Sequence, residues 1–315
     1  MDFDISIGVV NCNRLYYLAA TVDSIIETTS KNKVELIIVD NGSIEPGTDE
    51  YVRSLIDNYT SETLKIIYHK QQGRDPKNEY AKALNIIALT ARADLILPMP
   101  GDVQFIEKGW VDRYIHFFKE YKDIIGCVAI DAQRKKRLES ELFIRDTAMF
   151  WMSVKRPPIA GAGNVVYHKD ILKRMYPWDT NNGTHEGTLD NSETKMLNKM
   201  TDILAKENRH MYIPTIPCAV AIRNPDGSTA FVRNDKRYGT YERGEYKGSM
   251  YYEIRNEMPL HIMPPKNRPL SIEEIALPYM WEKPLDREGN WIKLANEYDK
   301  YTTITQNSFD TSNKE

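Results

Sequence analysis

The sequence predicts an α/β protein built on a mostly parallel sheet, and three observations carry that prediction. Apolar, β-branched runs alternate with amphipathic stretches through the first hundred or so residues. The runs are nearly continuous rather than alternating, as in strands covered on both faces. The connections are short and marked by turn residues, so strand and helix follow one another in βα order.

The elements follow in order. Asp4–Val10 reads as the first strand. Leu15–Thr29 reads as a helix, with Leu15, Leu18, Val22, Ile25 and Ile26 on one face. Val34–Asp40 is a second strand, closed by the turn signal Asn41-Gly42-Ser43. Thr48–Tyr59 is a helix, Leu64–His69 a third strand and Asn78–Arg92 a helix presenting Tyr80, Leu84, Ile87, Ala88 and Ala91. Asp94–Pro98 is a fourth strand. Beyond Asp102 a helix is expected over Phe105–Tyr121, a strand over Ile124–Ile130 and an extended hairpin over Leu142–Val154. The small-residue loop Ala160-Gly161-Ala162-Gly163 precedes a strand at Asn164–Tyr167 and a helix from about His168. Asn191–Asn208 is a further helix, and Met211–Ile222 holds one or two strands broken by Pro214 and Pro217. Periodicity then fades, which places a boundary near residue 230. Residues 231–315 read as a partly irregular extension with a disordered tail.

Among 315 residues, 42 Lys+Arg stand against 45 Asp+Glu, a net charge of −3 that argues against a general grip on polyanions. Three cysteines without a CxxC pair point to reduced thiols rather than a metal cluster or disulfide framework. The first residues lack a basic and apolar leader, and no apolar run reaches membrane-spanning length. A cytoplasmic protein is therefore expected. Nineteen Tyr against eight Phe suit sugar and base contacts as well as ordinary packing.

In an open parallel sheet, ligands bind beyond the carboxyl ends of the strands. Those ends carry Asn11-Cys12-Asn13-Arg14, Asp40-Asn41-Gly42-Ser43 and Met99-Pro100-Gly101-Asp102. Carboxylates and amides thus meet on one edge, where they can accept from a base or ribose hydroxyl. Asp102 could hold a divalent cation beside a diphosphate. Each Asp taken alone also reads as a helix cap or turn residue. Neither GxGxxG nor GxxxxGK[ST] occurs, which excludes the common dinucleotide and P-loop fingerprints.

In this order, several segments resemble the family-2-type glycosyltransferases with a GT-A fold. ISIGVVNCNR resembles their opening strand and ELIIVDNGS their second. NEYAKALNIIALTARADLILPMPGDV resembles the helix with a central Asn, the next strand and the terminal Asp motif. IAGAGNVVYHKDILKRMYPWD resembles the acceptor-side loop, strand and helix. GTLDNSETKMLNKM resembles the segment of the catalytic base, and IRNPDGST a closing motif.

The resemblance implies a donor half over about 1–104 and an acceptor half over about 105–230. It also implies a nucleotide-sugar donor, UDP-linked in most such folds, and transfer to the hydroxyl of a glycan or other acceptor, inverting with a carboxylate base. Asn13, Asp40, Asn41 and Ser43 then face the nucleoside, Asp40 reading the base, while Arg74, Asn85, Gly101 and Asp102 lie along the donor. Asp102 matches the last position of the metal motif for Mn2+ or Mg2+, with Asn224 at or beside the position of a second ligand. Gly161, Gly163 and Asn164 belong to the acceptor side.

Asp190 matches the base, and its neighbours Glu186 and Glu193 are alternative bases. Three positions depart from the family pattern: Pro100 replaces the first metal-motif Asp, Asn224 a His, and Leu189 the Glu before Asp190. With fewer protein ligands for the cation, Arg223 is available to help hold the donor. The stretch Phe231–Arg255 mixes Tyr with Lys and Arg, as a loop over a diphosphate or a polyanionic acceptor would, but also as a solvated surface does. Transfer onto a modified base in DNA is therefore one alternative, and a non-catalytic nucleotide-sugar or glycan-binding protein is another.

Overall fold

Strands β1 (Ile5–Asn11) and β2 (Val34–Asp40) are buried at every residue, and they pair with one another in the parallel part of the sheet. In the computed structural model the residues described are 2–12, 15–43, 47–73, 79–101, 103–105, 107–130, 143–145, 150–153, 164–178, 192–214 and 218–221. The proposed extension after residue 230 lies outside them.

The remaining strands are β3 (Leu64–Lys70), β4 (Leu95–Pro100), β5 (Val103–Phe105), β6 (Ile125–Ala129), β7 (Phe143–Arg145), β8 (Phe150–Ser153), β9 (Val165–His168), β10 (His210–Pro214) and β11 (Ala219–Ala221). The helices are α1 (Leu15–Thr28), α2 (Thr48–Tyr59), α3 (Glu79–Thr90), α4 (Trp110–Glu120), α5 (Lys169–Met175) and α6 (Ser192–Lys206). Nine strands form one sheet in the order β3-β2-β1-β4-β9-β6-β10-β8-β7, while β5 and β11 form a separate pair. β3, β2, β1 and β4 run parallel, β9 is antiparallel to both its neighbours, and β8 is antiparallel to β10 and β7.

Strand residues alternate between two apolar layers, which explains the continuous hydrophobic runs. Ile5, Ile7, Val9, Leu36 and Ile38 pack with α1, α2 and α4. Val10, Ile37 and Val39 pack with α3, α5 and α6 on the other face. α3 lies so close to β1 that a Cβ at Gly8 would stand 2.4 Å from Ile87. On the first face Phe105, Trp110, Tyr114, Phe117 and Phe150 form a continuous run of stacked and edge-on rings.

Apart from shifts of a residue or two at other element ends, two differences from the sequence reading have a clear physical reason. Phe105 is not helical. It ends β5, with its N–H bonded to Ser24 Oγ at 3.0 Å, and the helix starts after the left-handed Gly109. A single buried aromatic fits a helix face and a strand equally well, so the pattern extended the helix backwards. β4 runs on to Pro100 although it holds two prolines. Pro98 accepts from the Asn164 N–H, so its polar groups face the β9 side, and Pro100, two residues on, faces the same way. The β9 ladder involves only Leu95 and Ile96, so the missing proline N–H groups cost no bond to β1.

At the opposite edge from the strand ends discussed below, Glu35 is fully buried. It accepts from Ser6 Oγ (2.7 Å), the Arg92 N–H (2.8 Å) and Arg92 Nε (2.6 Å).

Candidate active site

The carboxyl ends of the four parallel strands finish level with one another. Asn11 is in register with Asp40, Asp40 with Lys70, and Val10 with Pro100. The alignment is continued by backbone bonds: the Asn41 N–H donates to Asn11 O (2.8 Å), Gln71 N–H to Asp40 O (2.8 Å) and Gly101 N–H to Val10 O (2.8 Å).

Side chains tie these ends into one network. Asn11 Nδ2 donates to Asp40 Oδ2 (3.0 Å) and to Ser43 Oγ (3.3 Å), and the Ser43 N–H donates to Asp40 Oδ1 (2.6 Å). The Gln71 amide donates to Asn41 Oδ1, and Cys12 Sγ lies 3.7 Å from Asn41 O. Asp40 is 0% exposed, and each of its oxygens accepts a bond within the turn. Its carboxylate shapes the turn as an Asx-type acceptor does. Asn11 is among the strand-end amides expected from the sequence, though its bond to Asp40 is not, and Gln71 is a partner that sequence reasoning passed over. Register supplies Asn11, and the third strand ends one residue beyond its expected limit, which brings Gln71 to the edge.

Gly42 allows this turn. Its φ is +72°, and a Cβ there would stand 2.3 Å from the Gly73 carbonyl oxygen. Gly42→Ala is therefore expected to lower stability by about 2 kcal/mol or more, the left-handed conformation alone costing roughly 1–2. Gly73→Ala, whose Cβ meets no atom within 4 Å, serves as the comparison. Urea midpoints of the two variants check the difference; equal losses would mean that Gly73 does not press on the turn.

The edge strand is held by α2. Tyr68 Oη and Lys70 Nζ each donate to Asp49 at 2.6 Å. The Lys70 bond, and then the Tyr68 bond, hold the Asp49 carboxyl below its usual range. Burial, then the bond to Asp49, pushes the Tyr68 hydroxyl well up, so it remains a donor.

On the other half, Asn164 adopts a left-handed backbone (φ 61°) at the start of β9. Its N–H donates to Pro98 O and its carbonyl accepts from Ile130 N–H, both at 3.0 Å, so it joins the ends of β4 and β6. Its buried Oδ1 has no partner among the described residues. Asn85, in the middle of α3, bonds with the backbone of Trp178. Asn13, Arg74, Asp102, Gly161, Gly163, Glu186, Asp190 and Asn224 lie outside the described residues. Glu193 is the second residue of α6, and its side chain is outside them too. The β5–β11 ladder sets Ala221 opposite Val103. The residue after Asp102 in the chain thus pairs with one three positions before Asn224. Among the described residues no three His, Cys, Asp or Glu gather as metal ligands, and no helix is long and apolar enough to cross a membrane.

Parallel strands with polar groups at their carboxyl ends, continued through an antiparallel strand, are the arrangement expected of the GT-A class of nucleotide-sugar-dependent glycosyltransferases. The profile described as "Glycosyl transferase family 2" matches residues 6–175, more than half of the chain, and the chain belongs to that family. It is 28% identical over 184 residues to the protein y4gI of Sinorhizobium fredii (strain NBRC 101917 / NGR234), a match covering 58% of this chain and only 17% of that protein. Residues 1–349 of S. aureus TarS, solved with UDP, superpose with a TM-score of 0.51 at 14% identity, covering 72% of this chain and 62% of that one. Glucosyl-3-phosphoglycerate synthase from Mycobacterium tuberculosis, solved with Mg2+ and UDP, gives 0.43 at 15% identity over 71% and 73%.

Proposed function

We propose that the chain transfers a sugar from a UDP-linked donor to an acceptor hydroxyl, with inversion. The observation that carries the reading is the levelled edge of β1–β4. There the Asn11–Asp40–Ser43 network and the Asn41–Gln71 pair form a polar floor in a family-2 glycosyltransferase. The UDP complex of TarS, which shares the fold, supports the choice of nucleotide. Asp40 shapes this floor, while Asn13, Asn41, Ser43 and Arg74 supply contacts to the nucleotide.

Asp102 and Asn224 are the residues that would hold Mn2+ or Mg2+. One carboxylate and one amide are oxygen donors of the kind that suits such a cation. Held there, the cation would supply positive charge to offset that of the leaving diphosphate. Pro100 contributes no ligand, and Arg223 offsets part of that loss. Asp190, or one of its neighbours Glu186 and Glu193, removes the acceptor proton, with Gly161, Gly163 and Asn164 beside the acceptor. The three buried cysteines, none of them in a disulfide, fit a reducing, cytoplasmic setting.

Thermal unfolding with UDP, UDP-glucose and UDP-N-acetylglucosamine, each with and without Mn2+, tests the proposal. A nucleotide at about 100 times its Kd raises stability by roughly 2.7 kcal/mol and shifts the midpoint by several degrees. A midpoint that no uridine nucleotide moves at millimolar concentration would overturn the UDP reading. Turnover of the same donors separates the enzyme from a sugar-binding protein.

A further inference from the structure

We infer that Asn85 is a positioning residue for the acceptor side rather than a ligand of the donor; the inference rests on the transferase reading above. Its Nδ2 donates to the Trp178 carbonyl at 2.9 Å and its Oδ1 accepts from the Trp178 N–H at 2.6 Å. One carboxamide thus satisfies both backbone groups of a residue 93 positions away, as a neighbouring strand would. Asn is a poor choice for the middle of a helix, because its side chain competes with the backbone, so its place in α3 answers a tertiary demand. Asp keeps the acceptor but lacks the donor, and Gln carries the amide one methylene too far.

Trp178 is the point that this bond fixes. It is 1% exposed, packed in the apolar layer with Leu84, Ile87, Ile171 and Met175. In sequence it stands eight residues before Glu186 and twelve before Asp190. On the far side of those two residues, α6 is tied to the same region by Lys199 Nζ, which donates to Met175 O at 3.3 Å. The chain bearing the proposed base therefore leaves from an anchor set by the donor-half helix α3 and returns to one set by α5. Loss of the amide pair shifts the departure point, and a displacement of about 1 Å can cost on the order of a hundredfold in rate.

Asn85→Asp and Asn85→Ala provide the test, with UDP as the binding probe and turnover of the UDP-sugar that the wild-type protein accepts as the rate. Expected are a UDP Kd and donor KM within about twofold of wild type, and a kcat lower by ten- to a hundredfold. Hydrogen exchange is expected to rise at the Trp178 amide but not in β1 or β2. A UDP Kd weakened tenfold or more with kcat preserved would make Asn85 a donor ligand and overturn the inference. So would a drop in melting temperature with kcat unchanged, which marks a merely structural bond. If Asn85→Asp does not fold, Asn85→Ala carries the same kinetic comparison. If wild-type protein neither binds UDP nor turns over a donor, the functional reading fails instead. Unchanged exchange at Trp178 in both variants then still refutes the positioning role.

Discussion

Asp190→Asn is expected to lower kcat by about 10²- to 10⁴-fold while leaving UDP affinity within about twofold, the range that loss of a general base produces. The change keeps the size of the side chain and removes only its basicity, so donor binding along β1–β4 is untouched. The sequence offers three carboxylates within eight residues of one another, Glu186, Asp190 and Glu193, and Glu186→Gln and Glu193→Gln belong beside it. The variant that loses the acceptor-dependent rate, and regains part of it as the pH rises toward that of an ionised acceptor, identifies the base. If each of the three retains more than a tenth of wild-type kcat, proton removal by this segment is wrong. Asp102→Ala is the contrasting variant. Its loss is expected in donor affinity and in the Mn2+ concentration needed for half-maximal rate, because that residue is assigned to the leaving group.

The parts of this site that could be read from sequence are those with a local cause. A run of five apolar residues interrupted only by Glu35 and closed by Asp40-Asn41-Gly42-Ser43 announces a buried strand and a tight turn, and both are present. The position of Asp40 at the carboxyl end of its strand follows from the same pattern. What Asp40 does there depends on Asn11, its register partner, and register across a parallel pair is not encoded in either strand alone. Gln71 was hidden for a related reason: an edge strand half open to water has no sharp apolar limit. The partner of Asn85 lies 93 residues away, beyond any periodicity. Phe105 shows the same limit in the core, where burial alone does not separate a short strand from the start of a helix.

The largest stability effect is expected far from the chemistry, at Glu35. Its carboxylate is fully buried between β1 and β2 and accepts bonds from Ser6 Oγ, the Arg92 N–H and the Arg92 guanidinium. Arg92 Nη2 is a further 2.6 Å contact, and Ser6 Oγ in turn accepts from the Ala93 N–H at 3.0 Å. The network therefore joins β1, β2 and the turn that feeds β4. Glu35→Ala removes the acceptor of several buried donors at once and leaves a cavity. The expected loss is about 3–5 kcal/mol, as for one partner taken from a buried ion pair. Half of the Arg92 side chain can turn to solvent, which places the result toward the lower figure. Glu35→Gln keeps the volume and one acceptor oxygen but turns its amide N–H toward the Ser6 and Arg92 donors. A loss of about 1.5–3 kcal/mol follows, on the scale of hydrogen bonds to a charged group. Urea midpoints measure both variants. Because the network lies at the opposite edge of the sheet from Asn11 and Asp40, the folded fraction of each is expected to bind UDP as wild type does. A Glu35→Ala loss below 1 kcal/mol would show that water replaces the carboxylate at little cost and that the β1–β2 edge does not depend on it.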